Sequence, residues 1–394
     1  MGGNVVITDT LTNEKFYAEK IPLRTIGREN FIKTVNGFLS DFNEMFSKTG
    51  QTLWSPEDIE SGLIFNGSTG FIMNPNYDSE EVEAAKPFVG DIDVVIDKDL
   101  KLNVYNFLNT IKGKSINSDV KYLGNNKPEY KPLMSQINCI FEMTFNVANI
   151  GEIKVNVQTD FEFVDFIGGK PSEWSRFGHS SNLKDAKKGI KAFHHKYLLR
   201  SLIGCLFTDK NGVITANGTE LSKPARVKVF DVDLGLCDHL LKGNVRPDGK
   251  TSYTELQKDQ YICNRDLKQI FKLCFNNDPD DADLKKLWSF TGLCELIEKY
   301  IPTDILPDIH RRYADLLWAS SPERTQELER NNPGLDLEVK LKGYQYFIDI
   351  FGLPDLHTAM IDPYYKCFGL RKRNFLAESF REFIALKNYV QEDF

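Results

Sequence analysis

The chain has 394 residues, a formal net charge of −7 and a sequence pI near 5.6, with 41% hydrophobic and 27% charged residues. That balance belongs to a globular chain with room for two or three domains, and it argues against a basic coat for wholesale nucleic-acid binding while allowing a local basic groove. Seven scattered cysteines without a CxxC pair, and no apolar run of the roughly 18–20 residues that cross a bilayer, exclude a disulfide frame, a thiolate zinc site and a helical span.

In chain order, a short strand-like opening precedes a helix marked by Phe31, Val35, Phe38, Leu39, Phe42 and Phe46 at helical spacing. A second helix is predicted after Ser55, with Ser55 as cap and Pro56 at the first helical position. Leu63-Ile64-Phe65 then runs into the Gly-rich turn Asn66-Gly67-Ser68-Thr69-Gly70, followed by a polar, acidic loop over 74–83. Val89–Ile96 reads as a strand, 100–112 as a helix, and 136–147 and 152–166 as strands. Asp185–Leu206 reads as one helix, 213–216 and 226–234 as strand-like pieces, and about 255–390 as mostly helical. The expected fold class is α+β: a mixed-sheet core, an N-terminal helical arm and a mostly α-helical C-terminal domain. The expected domains are 1–50 (strand and helix packing on the core), 51–200 (catalytic) and 201–394 (helical).

Chemistry concentrates in three places. Gly67-Ser68 follows an apolar segment; a glycine permits close backbone approach, and amides with a hydroxyl can hold phosphate oxygens. Asp91 and Asp93, in GDIDVVID, share one strand face at i and i+2 and so can reach one cation or a pair of them. Like charges so placed otherwise repel. Asp160 and Glu162 lie on one face of a later strand, opposite Phe161 and Phe163, and a third carboxylate is what a two-metal site requires. Taken singly, each has a plainer reading: a turn, a solvated strand end, a polar edge strand.

Together they resemble the DNA-polymerase-β-like nucleotidyltransferase superfamily, whose pattern is an apolar residue, Gly-Ser, Asp-x-Asp, then an aspartate on a later strand. The matching positions are Phe65-Asn66-Gly67-Ser68, Gly90-Asp91-Ile92-Asp93 and Val157-Gln158-Thr159-Asp160, within about residues 60–200. Trp174-Ser175-Arg176-Phe177 and His195-Lys196-Tyr197-Leu198-Leu199-Arg200 are more loosely similar to nucleotidyltransferase-like proteins of large bacteriophages. The gap from Ser68 to Asp91 is longer than the family's, so 74–87 is expected as a looped-out insertion. Asp231-Val232-Asp233 is a rival source of the third carboxylate, with Asp160 favoured because it follows next along the chain.

The resemblance implies that Asp91, Asp93 and Asp160 are catalytic and hold Mg²⁺ or Mn²⁺, and that Gly67 and Ser68 help bind a nucleoside triphosphate substrate. The basic run Lys184, Lys187, Lys188, Lys191, Lys196 and Arg200, against the single acid Asp185, suits the triphosphate charge that metals leave unmet, with Lys188, Lys191, Lys196 and Arg200 as the binding set. Its plain alternative is a solvated helical face. The acceptor is open, RNA among the choices. His179, His194 and His195 form no i, i+4 pair, and imidazole suits zinc better than magnesium. Lys366, Arg371, Lys372 and Arg373, interleaved with aromatics, suit either phosphate tracking or snorkelling over a core. No membrane or disulfide-linked partner is expected, and a cytoplasmic location is. Two rivals remain: a DxD glycosyltransferase, which leaves Gly67-Ser68 and Asp160 unexplained, and a catalytically silent nucleotidyltransferase fold used as a binding module.

Overall fold

The phenylalanine stripe of residues 31–46 folds as the sequence predicts, into a twenty-residue helix that buries Phe31, Val35, Phe38, Leu39, Phe42 and Phe46. The computed structural model describes residues 6–8, 15–127, 129–174, 177, 181–207, 225–231, 235–245, 251–261, 265–319 and 335–352. The chain divides into two compact units, Met1–Lys187 and Lys188–Phe394.

The first unit opens with a small hairpin, β1 (Val6–Thr8) and β2 (Lys15–Tyr17), then α1 (Leu23–Ile26) and the phenylalanine helix α2 (Arg28–Ser47). Helix α3 (Pro56–Glu60) starts as its cap requires: the Ser55 hydroxyl accepts from the Asp58 N–H at 3.2 Å. Short α4 (Gly67–Ile72) and α5 (Ser79–Ala85) precede β3 (Asp91–Asp97), α6 (Lys101–Thr110), β4 (Val120–Asn125), β5 (Gln136–Val147) and β6 (Gly151–Val164). A minor hairpin, β7 (Phe166–Ile167) with β8 (Lys170–Pro171), and α7 (Leu183–Lys187) complete it.

The sheet order is β3-β6-β5-β4, with β3 parallel to β6 and the other pairs antiparallel. Alternation along β6 sends Phe161 to the helix-covered face, where its ring stacks on Phe42 at 5.3 Å between centroids. Phe38 meets Phe141 at 4.7 Å, and Phe107 of α6 meets Phe42 at 5.4 Å. The opposite face is left to Asp160 and its neighbours. The free edge of β3 is covered by residues 64–66, which bond to it through Val95 N–H to Ile64 O at 2.9 Å and Asn66 N–H to Asp93 O at 3.1 Å.

Two expectations change. The segment from 74 to 87 is not all loop. It contains α5, capped by the Asp78 carboxylate on the Glu81 N–H at 3.0 Å. Buried Arg28 also holds the stretch before it, donating to the carbonyls of Ile72 and Tyr77 at 2.7 Å and of Asn74 at 2.5 Å. Likewise, Asp185–Leu206 is two helices. Gly189, at φ +70°, ends the run after α7, and α8 (Ala192–Phe207) begins beyond it, passing through residue 200.

The second unit is mostly helical. After α8 come α9 (Leu267–Phe275), α10 (Asp281–Leu287), α11 (Phe290–Tyr300), α12 (Leu306–Ala319) and α13 (Leu335–Phe351). It also holds an antiparallel sheet of order β11-β10-β9, from β9 (Ala225–Asp231), β10 (Gly235–Val245) and β11 (Thr251–Tyr261). The strand β11 corrects the helical reading of the stretch from 255. Residues 213–216 and the basic stretch 366–373 lie outside the described residues. Among the described residues the cysteines are free thiols, and no helix is long and apolar enough to cross a membrane.

Candidate metal centre

Parallel pairing of β3 with β6 sets Asp91 opposite Gln158, Asp93 opposite Asp160 and Val95 opposite Glu162. The period-two alternation of both strands then brings the acids to one face. One carboxylate oxygen from each of Asp91, Asp93 and Asp160 lies within 4.8 Å of the others, a group that could hold a metal ion. Asp91 and Asp93 are half-buried and Asp160 is buried.

Crowding sets the electrostatics. Burial first, then the carboxylates of Asp91, Glu162 and Asp160, push the Asp93 carboxyl well above the usual range, with Lys86 acting against them. Asp160 is raised to about 6, chiefly by burial and also by Asp91 and Glu162, while hydrogen bonds from Asn138 and Gln158 pull it down. A divalent cation relieves this repulsion directly, and an all-oxygen carboxylate set suits Mg²⁺, Mn²⁺ or Ca²⁺ rather than a thiophilic metal.

Gly67 is shaped to this cluster. It has φ +55°, and a Cβ built there would stand 2.0 Å from Asp93 Oδ2, so only a glycine lets that carboxylate sit where it does. The expected Gly-rich turn is thus the start of α4, with Gly67 and Ser68 as its first residues. Thr69 links α4 to the paired aspartates: the Asp93 N–H donates to its Oγ1 at 3.1 Å, and that hydroxyl donates to the Asp91 carbonyl at 3.4 Å. Asn66 donates from Nδ2 to Glu162 Oε2 at 2.7 Å.

The basic candidates belong to the second unit. Lys188 precedes α8, its Nζ 4.3 Å from the Tyr346 ring centroid and 3.2 Å from the Tyr346 hydroxyl, to which it donates. Lys191 is exposed and also precedes α8. With the helix interrupted at Gly189, the spacing of Lys184, Lys188 and Lys191 is not one helical stripe; Lys196 and Arg200 keep an i, i+4 relation on α8. His194 and His195 are buried, His194 Nδ1 pairing with the Tyr313 hydroxyl at 2.6 Å and His195 Nε2 with the Leu287 carbonyl at 2.8 Å. Asp231 ends β9, and Asp233 and His179 lie outside the described residues.

Sequence reasoning passed over Thr69, Asn66, Asn138 and Gln158. Gln158 carried a signal, standing two residues from Asp160 on the same strand face. Asn138 did so only weakly, as a polar residue inside the apolar run Ile137–Phe141. Compared with protein-family models, with curated proteins and with solved structures, the chain finds no match in any of the three. The functional reading therefore rests on the site itself.

Proposed function

We propose that the protein is a metal-dependent nucleotidyltransferase that moves a nucleoside monophosphate from a nucleoside triphosphate to an acceptor hydroxyl. The observation that carries this reading is the meeting of Asp91, Asp93 and Asp160 within 4.8 Å, beside a glycine that a side chain would drive into Asp93. When bound, Mg²⁺ or Mn²⁺ supplies charge neutralisation at the phosphates. Asp91, Asp93 and Asp160 hold it, and the backbone at Gly67 with the Ser68 hydroxyl binds phosphate oxygens.

The sequence offers Lys188, Lys191, Lys196 and Arg200 for the remaining phosphate charge. The acceptor oxygen attacks the α-phosphorus; the new P–O bond forms as the bond to the bridging oxygen breaks and pyrophosphate leaves. The acceptor proton passes to solvent. The protein's contribution is positioning and charge rather than a covalent intermediate. RNA ends, protein side chains and small molecules all offer the hydroxyl required.

A thermal-shift panel of the four nucleoside triphosphates and UDP-sugars, with and without Mg²⁺ or Mn²⁺, tests this. Stabilisation by a triphosphate that requires the cation is expected. A response to UDP-sugars alone turns the reading to a glycosyltransferase, and no response at all turns it to a silent binding fold.

A further inference from the structure

A carboxylate offers two oxygens and about four lone-pair directions. On Asp160 three of them are engaged by protein donors. Asn138 Nδ2 donates to Oδ1 at 2.8 Å, and the Gln158 amide reaches Oδ1 at 2.9 Å and Oδ2 at 3.0 Å. All three side chains are buried, at 8% exposure for Asn138, 4% for Gln158 and 7% for Asp160.

The orientation of Asn138 is fixed from behind. Asn126 Nδ2 donates to Asn138 Oδ1 at 2.5 Å, and the backbone N–H of Asn138 returns a bond to Asn126 Oδ1 at 3.2 Å. The Asn126 N–H also donates to the Asn138 carbonyl at 3.0 Å. With its side-chain oxygen engaged by Asn126, Asn138 turns its amino group to Asp160. Register makes this possible, since Asn138 on β5 is the direct partner of Asp160 on β6.

We infer that Asn138 and Gln158, backed by Asn126, are positioning residues that leave Asp160 one lone pair, on Oδ2, for a cation, so that the centre selects a small octahedral ion over Ca²⁺. The inference rests on the metal reading given under Proposed function. Ca²⁺ takes six to eight oxygens and often binds carboxylates through both oxygens, whereas Mg²⁺ keeps to near-octahedral geometry with single-oxygen ligands and waters. Two-oxygen binding by Asp160 would require breaking both of its bonds to the buried Gln158 amide, which spans Oδ1 and Oδ2, while the Asn138 bond to Oδ1 holds the carboxylate in that orientation. Asp93 is restrained as well, because its Oδ2 lies against the Gly67 backbone. The pocket thus has little freedom to wrap a larger ion.

The test titrates the metal-free full chain with Mn²⁺ alone and with Ca²⁺ alone, by calorimetry and by the electron paramagnetic resonance signal of free Mn²⁺. Wild type should bind Mn²⁺ more tightly, and Asn138→Leu or Gln158→Met should each shrink the Mn²⁺-to-Ca²⁺ preference by about tenfold. Asn126→Ala should shift it the same way by less, and it guards against misfolding of the inner variants, with metal-free melting as the check. General destabilisation would weaken both ions together and leave the ratio alone. An unchanged ratio in folded Gln158→Met and Asn126→Ala overturns the inference, as does a wild-type preference for Ca²⁺, and neither result touches the nucleotide reading. Binding of neither ion removes the metal centre, and the inference with it. Mn²⁺ selectivity that follows the amides, without any nucleotide response, upholds the inference and defeats only the nucleotide reading.

Discussion

The acidic cluster of the first unit and the buried histidines of the second are buried in opposite ways. Among the described residues of the second unit, the buried histidines meet complementary partners: His194 the Tyr313 hydroxyl, His195 the Leu287 carbonyl, and His310 the Tyr344 hydroxyl at 3.3 Å. Asp283 accepts from the Tyr300 hydroxyl at 2.7 Å and from Lys299, and those bonds, Tyr300 first, hold its carboxyl below the usual range. Packing agrees with pairing there, since the α13 backbone at Gly343 lies so close that a Cβ would stand 2.4 Å from the His194 ring. In the first unit, Asp91, Asp93, Asp160 and Glu162 act on one another with the same sign. The comparison separates structural polar burial, which satisfies itself, from a cluster whose repulsion a bound cation would relieve.

The largest effect that tests this contrast is the loss of chemistry. Asp91→Ala/Asp93→Ala should cut transfer of label from an α-labelled triphosphate by about 10³-fold or more, while circular dichroism and melting show an intact fold. Transfer that persists in the folded double variant moves the metal centre elsewhere, with Asp231 and Asp233 next in line.

Proton linkage then sets the units against each other. His310 is lowered by burial from 6.5 to about 4, so the folded state refuses a proton that the unfolded chain takes. That stability is complete above about pH 6.5 and is lost as pH falls toward 4, roughly 3 kcal/mol at the limit. His310→Gln should flatten this acid loss in urea titrations. Asp160 has the opposite sign: raised from 3.8 to about 6, it binds its proton more readily when folded. In metal-free protein its contribution therefore falls as pH rises from about 4 to 6. The stability of Asp160→Asn relative to wild type should grow by roughly 3 kcal/mol over that interval. Comparing the variant across pH cancels the fixed cost of altered hydrogen bonds. A flat difference would mean that burial and the neighbouring carboxylates do not raise Asp160 as described.

Smaller effects sharpen the picture. Gly67→Ala should cost about 1–2 kcal/mol for its left-handed backbone alone, measured by metal-free melting, and should weaken cation binding further by displacing Asp93. Lys188→Ala should change stability by less than about 1 kcal/mol, since it gives up an exposed contact with Tyr346. Its test as a phosphate ligand is a raised KM for the triphosphate with little change in kcat.

Much of this was legible in the chain because it lies in local pattern. The α2 stripe, the Ser55-Pro56 start of α3 and the long strands β5 and β6 are written in spacing and caps, and the shared face of Asp91 and Asp93 follows from strand period. What escaped depends on pairing. Thr251–Tyr261 is mostly polar, with no alternation to mark it, and becomes a strand by bonding to β10. Asn138 reads as an oddity in an apolar run until register places it opposite Asp160. Gly189 was visible as a helix breaker, yet the basic and apolar spacing on either side of it suggested a single helix.

The most direct measurement is anomalous diffraction from crystals grown or soaked with Mn²⁺, for wild type and for Asp93→Asn. A manganese peak bonded to carboxylate oxygens of Asp91, Asp93 and Asp160, and absent from the variant, is the predicted result. A well-ordered cluster with no peak at millimolar Mn²⁺, or a peak on a different set of acids, would contradict it.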